Sequence, residues 1–143
     1  MPFEVPSGSI LELIPHRPPM VFVDAMIEVD LAHAVCTFAI TERTACLRDG
    51  ALPGIYAVEV MAQAVAAHIG AVLRWRGETP GGGYLVGVRD VILGAAGFAP
   101  GEVLEIEVAH TFVSDRLASY ACRVRRATVD IASATLNVLR SDA

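Results

Sequence analysis

The stretch LPGIYAVEVMAQAVAAHIGAVL, residues 52–73, decides the fold. Its apolar residues are not confined to one stripe. They run all the way round a helix of about 19 residues beginning at Ile55, roughly 28 Å long at about 1.5 Å per residue. A helix that is apolar on every side belongs inside a sheet rather than on a surface. Pro53-Gly54 opens it, and Ala62, Ala66 and Gly70 form a line of small residues that lets another element approach closely. One side chain breaks the pattern. Glu59 is the only residue of the segment that is ionised at neutral pH, and a carboxylate in apolar surroundings is costly unless it is paired or shifts its pKa.

Beyond the helix, GETPGGG (77–83) reads as a turn. Four strands follow, from Tyr84 to Leu93, Glu102 to Val113, Leu117 to Ala127 and Asp130 to Leu139. In the second of these, Glu105 and Glu107 alternate with Leu104, Ile106 and Val108, giving one wet and one dry face. Ahead of the helix, residues 20–29 (MVFVDAMIEV) and His33 to Ile40 read as a hairpin, and the loop TERTACLRDGA (41–51) leads on to Leu52. Ser7 or Ser9 caps a short helical turn within PSGSILELI (6–14), which Pro15, Pro18 and Pro19 stop. The expectation is a single α+β domain over residues 1–143. A strand pair, a long helix and a four-strand meander build one antiparallel sheet wrapped around the helix.

Hydrophobic residues make up 54% of the 143 and the mean hydropathy is +0.51, high for a short soluble chain. Such a chain has either a thick core or an oligomer that hides apolar surface. No run spans a membrane without interruption, and MPFEVPSGS lacks a signal-peptide pattern, so the expected location is the cytoplasm. The net charge is −5, and all 11 basic residues are arginines. Lysine Schiff-base chemistry is therefore excluded, and nucleic acid is not an expected partner. Cys36, Cys46 and Cys122 are odd in number and scattered, which fits reduced thiols. Neither they nor the four histidines have metal-ligand spacing, so no metal is expected. Gly81 to Gly83 ends a helix and opens a strand, with no following helix N-terminus to bind phosphate.

Two residues carry candidate chemistry. Glu59 is either a structural carboxylate held by an arginine or backbone donors, or a general acid or base in a dry cleft. Gln63 lies one turn on, on the same face. The amides at Gly54 and Ile55, at the helix start, are placed to polarise a carbonyl beside the carboxylate. His16, within IPHRPPM, is either an exposed loop histidine or an imidazole fixed by its prolines. His33 reads as a surface residue, and His68 and His110 as satisfied packing histidines. Cys46 is a weak candidate nucleophile.

Three stretches taken together carry a resemblance. They are LIPHRPPMVFVD (13–24), LPGIYAVEVMAQA (52–64) and YLVGVRDVILGAAGFAPGEVLEIEV (84–108). In this order they resemble the hot-dog-fold 3-hydroxyacyl-acyl carrier protein dehydratases of fatty acid synthesis, and most closely the branch associated with aryl polyene pigment clusters. The resemblance implies a hot-dog fold, a homodimer with the acyl tunnel at its interface, and an acidic carrier protein presenting the thioester. It leaves room for a second, different hot-dog subunit, and it implies no cofactor. Glu59 matches the family's helix acid, Gly54 its carbonyl-polarising amide and Gln63 the glutamine one turn on. The sequence departs from the pattern at Ala45, where the common fatty-acid enzymes carry the catalytic histidine of a His-Phe-Pro-Gly loop. On this resemblance His16 supplies the imidazole as base, and Glu59, its pKa raised by apolar walls, protonates the departing hydroxyl. Arg74, Arg76, Arg123, Arg125 and Arg126 are candidates for docking the carrier. A hot-dog thioesterase and a non-catalytic acyl-binding or partner subunit are the alternatives.

Overall fold

The computed structural model describes residues 4–79 and 83–140. Three residues of the expected turn, 80–82, lie outside them. Ser9 caps a short 3-10 turn, Ile10–Glu12, its hydroxyl accepting from the Leu11 amide while Glu12 reaches back to the Ser9 amide. Strands β1 (Ala25–Val29) and β2 (His33–Ala39) form the expected hairpin. A two-residue strand β3 (Leu52–Pro53) and a 3-10 turn (Gly54–Tyr56) precede helix α1 (Ala57–Trp75). Then come β4 (Gly83–Leu93), the short β5 (Gly97–Phe98), β6 (Val103–Val113), β7 (Leu117–Arg126) and β8 (Val129–Arg140).

The main sheet is antiparallel and six-stranded, in the order β1-β2-β6-β7-β8-β4. α1 lies across it, so the α+β architecture expected from the opening stretch is the one observed. The meander is not. β6, β7 and β8 are consecutive neighbours, but β4 pairs with β8 at the far edge instead of with β6. The reason lies between β4 and β6. There β5 pairs with β3 (Leu52↔Phe98, Pro53↔Gly97), which ties this connection to the helix start and leaves β6 to pair with β2.

The expected strand at 20–29 is also shorter. Residues 20–24 lie outside the ladder, and the Phe22 and Val23 amides donate to the side chain of Gln63 rather than to a neighbouring strand. Alternation on β6 is as read: Leu104, Ile106 and Val108 are buried, while Glu105 and Glu107 face the arginines of β7 across the ladder. In the line of small residues, Gly70 is where the chain ahead of the His16 loop comes closest to the helix backbone. A Cβ there would stand 2.1 Å from the Leu13 carbonyl oxygen.

Two surfaces differ from the expectation of an enclosed helix. Val60, Met61, Ala64, Ala67 and Ala71 are buried against the sheet, but Val58, Glu59, Ala62, Ala66, Ile69 and Val72 are only half-buried. One sheet covers one side of a cylinder. The edge strand β4 is exposed along most of its length although it carries Tyr84, Leu85, Val86, Val88, Val91, Ile92 and Leu93. A long apolar edge strand offers unpaired backbone groups to another chain.

Candidate active site

The loop that carries His16 is pinned on both sides. Leu13 and Ile14 ahead of it are buried in the core. Arg17 turns back over the loop, its Nη1 donating to the carbonyls of Leu11 (3.2 Å), Ile14 (2.9 Å) and His16 (2.7 Å). Beyond the prolines, Gln63 reaches out from α1. Its Oε1 accepts from the amides of Phe22 (2.8 Å) and Val23 (3.2 Å), and its Nε2 donates to the Met20 carbonyl (2.8 Å). The remaining Nε2 proton goes to Glu59 Oε2 at 2.9 Å. The two backbone donors fix which way the amide points, so the face turned to Glu59 is the donor face.

His16 and Glu59, 43 residues apart, meet as a result. His16 Nε2 stands 3.5 Å from the same Oε2, with 28% of the His16 side chain and 39% of the Glu59 side chain exposed. His16 Nδ1 is buried, without a hydrogen-bond partner among the described residues. A cavity of about 100 Å³ runs from the His16 ring along α1 past Ala62, Val65, Ala66 and Ile69, closed on its outer side by Tyr84 and Leu85 of β4. The arrangement brings an imidazole and a carboxylate within proton-transfer reach beside an apolar slot, the equipment of general acid–base catalysis.

Several expected roles change. Glu59 is not in a dry cleft within the single chain, since the sheet covers only the opposite side of its helix. Gln63 is 0% exposed and both ends of its amide are engaged, holding the Phe22, Val23 and Met20 backbone and Glu59. The Gly54 amide is taken as well. It continues the β3–β5 pairing by donating to the Ala96 carbonyl at 2.8 Å, leaving Ile55 as the first orphan donor of the helix start. Glycine is needed at 54 for a different reason: a Cβ would stand 2.2 Å from the Ala95 carbonyl oxygen. Ala45 packs against the core and brings no polar group to the site. Cys46 beside it is exposed, with its thiol 3.8 Å from the Met20 sulfur.

The other histidines and most of the candidate docking arginines have structural partners. His33 Nε2 lies 2.8 Å from Glu107 Oε2. His68 is buried, its Nε2 donating to the Asp30 carbonyl (2.9 Å) and its Nδ1 accepting from the Tyr120 hydroxyl (2.7 Å). His110 Nε2 donates to the Leu31 carbonyl (2.7 Å). Arg123 and Arg125 pair with Glu107 and Arg126 with Glu102. Burial works to raise the Glu107 pKa, but His33 and the two arginines outweigh it and hold the carboxyl below its usual range. Arg74 reaches Glu12 at 3.6 Å. Arg76 forms no ion pair among the described residues. Arg17 was missed from the sequence. Its only signal was a cation inside a proline-rich loop that follows a short helical turn.

The family model for ApeP-like proteins, described as ApeP dehydratase, matches residues 8–143. The chain belongs to this dehydratase family. Among solved structures, a chain of the dehydratase heterocomplex ApeI:P from Xenorhabdus doucetiae superposes with a TM-score of 0.90 at 25% identity, covering 96% of this chain and 93% of that one. An HP0420 homologue from Helicobacter felis superposes at 0.70 with 11% identity over 92% and 88% of the two chains. The smu.793 protein of Streptococcus mutans, bound to acetyl CoA, superposes at 0.65 with 14% identity over 89% and 94%. No curated protein matches the sequence. The fold is the hot-dog fold.

Proposed function

We propose that this chain removes water from 3-hydroxyacyl thioesters borne on an acyl carrier protein, giving trans-2-enoyl thioesters, with His16 and Glu59 as the reacting pair. The observation that carries the reading is the 3.5 Å approach of His16 Nε2 to Glu59 Oε2 beside an apolar slot. The Ile55 amide polarises the thioester carbonyl and acidifies the α-proton. His16 takes that proton, and the C–H electron pair forms the Cα=Cβ bond. The C–O bond breaks, and the hydroxyl leaves as water with a proton from Glu59. Transfer from His16 back to Glu59 across the short gap restores the pair. Gln63 and Arg17 hold the geometry, and the acyl chain lies past Ala62 and Ala66 toward Ile69.

The assembly is part of the reading. The apolar edge β4 pairs with the edge of a second hot-dog subunit, either another copy of this chain or a different one, as the ApeI:P heterocomplex suggests. The mass in solution, against 15.2 kDa per chain, tells a homodimer from a chain awaiting another subunit.

The test is an assay with 3-hydroxyacyl and enoyl thioesters. Reversible hydration without release of free thiol supports the reading, and release of thiol makes the protein a thioesterase. His16→Ala and Glu59→Gln should each lower the rate by at least about 100-fold, the lower range for one acid or base. Full activity in either variant removes that residue from the chemistry.

A further inference from the structure

A second cavity, of about 270 Å³, lies at the other end of α1 and shares only Ile69 with the slot beside His16. Ile69 is ten residues beyond Glu59, about 15 Å along the helix axis. One wall is aliphatic, built from Ile69, Val72 and Leu73 of α1, with Val113 and Ala118 facing them. The lining also includes His68, His110 and Tyr120, whose rings pack at 5.6–5.8 Å between centroids.

Among the described residues the lining holds two cations and no acid. Arg76, at the helix end, and Arg140, at the end of β8, both border the cavity, and neither forms an ion pair among the described residues. Arg140 lies near enough to Tyr120 for its charge to act on the phenol. His68 adds no positive charge from the floor. A carbonyl oxygen can only accept, so His68 donates its Nε2–H to Asp30 and is left with Nδ1 as acceptor for the Tyr120 hydroxyl. Burial keeps that ring neutral, pushing its pKa down to about 4. Two arginines bordering an apolar pocket, on a chain of net charge −5, are a local reversal of sign. Planar forks match a carboxylate better than they match any neutral head group.

We propose that this cavity is a second binding site, for an amphipathic monoanion: an aliphatic carboxylate with its head between Arg76 and Arg140 and its tail along Ile69, Val72 and Leu73. The proposal is independent of the dehydratase reading. It uses neither His16 nor Glu59.

Calorimetric titration of the full chain with decanoate tests it, with methyl decanoate and butyrate as the ligands lacking the charge and the tail. Arg76→Met and Arg140→Met keep the apolar stems and remove the forks. The expected result is saturable decanoate binding, at least tenfold weaker in each arginine variant and in both control ligands, and unchanged in His16→Ala. The ring resonances of His68 and His110 should shift on addition of decanoate to the wild-type chain. The proposal is overturned if decanoate does not bind, if methyl decanoate binds as well, or if both arginine variants retain wild-type affinity. It is equally overturned if the ligand shifts His16 and leaves His68 and His110 unmoved.

Discussion

Replacing Gln63 by leucine is the sharpest perturbation of this structure, because one amide serves four partners. Phe22 and Val23 are each 1% exposed, so water cannot take over from Gln63 Oε1 as acceptor for their N–H groups. A stranded buried donor costs about 1–3 kcal/mol, so the pair costs roughly 2–6 kcal/mol. The Met20 carbonyl belongs to an exposed residue and regains water, so it adds little. Against a typical stability of about 5–15 kcal/mol this is a large fraction. Gln63→Glu separates the two halves of the amide. It keeps an acceptor for Phe22 and Val23 but turns an oxygen toward Met20 and Glu59. Two carboxylates then share a site, and the folded state retains a proton to higher pH than the unfolded chain does, near the usual glutamate value of about 4.3. Stability of this variant, relative to wild type, therefore falls as pH rises through that range and recovers in acid. Urea unfolding at pH 5 and pH 8, followed by circular dichroism, measures both effects. The reasoning is refuted if Gln63→Leu loses less than about 1 kcal/mol at unchanged m-value, or if Gln63→Glu shows the pH response of the wild type.

Three further outcomes are expected. His68 has a folded pKa of about 4 against 6.5 for the free group. Its contribution is complete above pH 6.5 and is lost as pH falls toward 4, on the order of 3 kcal/mol in all; denaturant titrations should show His68→Gln lacking that part of the acid slope. Ile92→Lys, at a position 64% exposed in the single chain, should change unfolding by no more than about 0.5 kcal/mol. The same substitution should reduce the mass in sedimentation to that of the lone chain, and an unchanged assembly would show that β4 is not the interface. Gly54→Ala places a methyl against the Ala95 carbonyl and should cost about 1–3 kcal/mol, read as a lower Tm, since the atoms it meets are backbone and cannot rotate away.

The helix and its neighbours were legible because each carries an unambiguous period. Nineteen residues without a polar face need an enclosing sheet, and Leu104, Ile106 and Val108 show which side of β6 faces the helix. Strand order was not legible. It turns on β3 and β5, two residues each, too short to leave a pattern of their own. Within the site, Glu59 stood out because nothing local explains a charge there. Gln63 could be placed beside it by spacing alone, but whether its amide faces substrate or backbone depends on a loop 40 residues earlier in the chain. The Gly54 amide misled for a similar reason. Its acceptor lies 42 residues downstream, on the connection leading into β5.

The half-exposure of Glu59 and the bare apolar edge of β4 are two signs of one cause. The slot beside His16 has α1 on one side and Tyr84 and Leu85 on the other, so the surface that leaves β4 uncovered is continuous with the wall of the slot. On the two-chain reading, a partner laid along β4 also approaches the half-buried stripe of α1 that begins at Val58 and Glu59. The apolar surroundings that the sequence leads one to expect around this carboxylate then belong to the assembly and not to the fold. A chain that kept Glu59 deep in its own core would have to solve the desolvation of a charge while folding alone. Placing the carboxylate at a rim, held by Gln63 and faced by His16, lets the chain fold with the group hydrated and postpones its dehydration until a second subunit and an acyl chain arrive together.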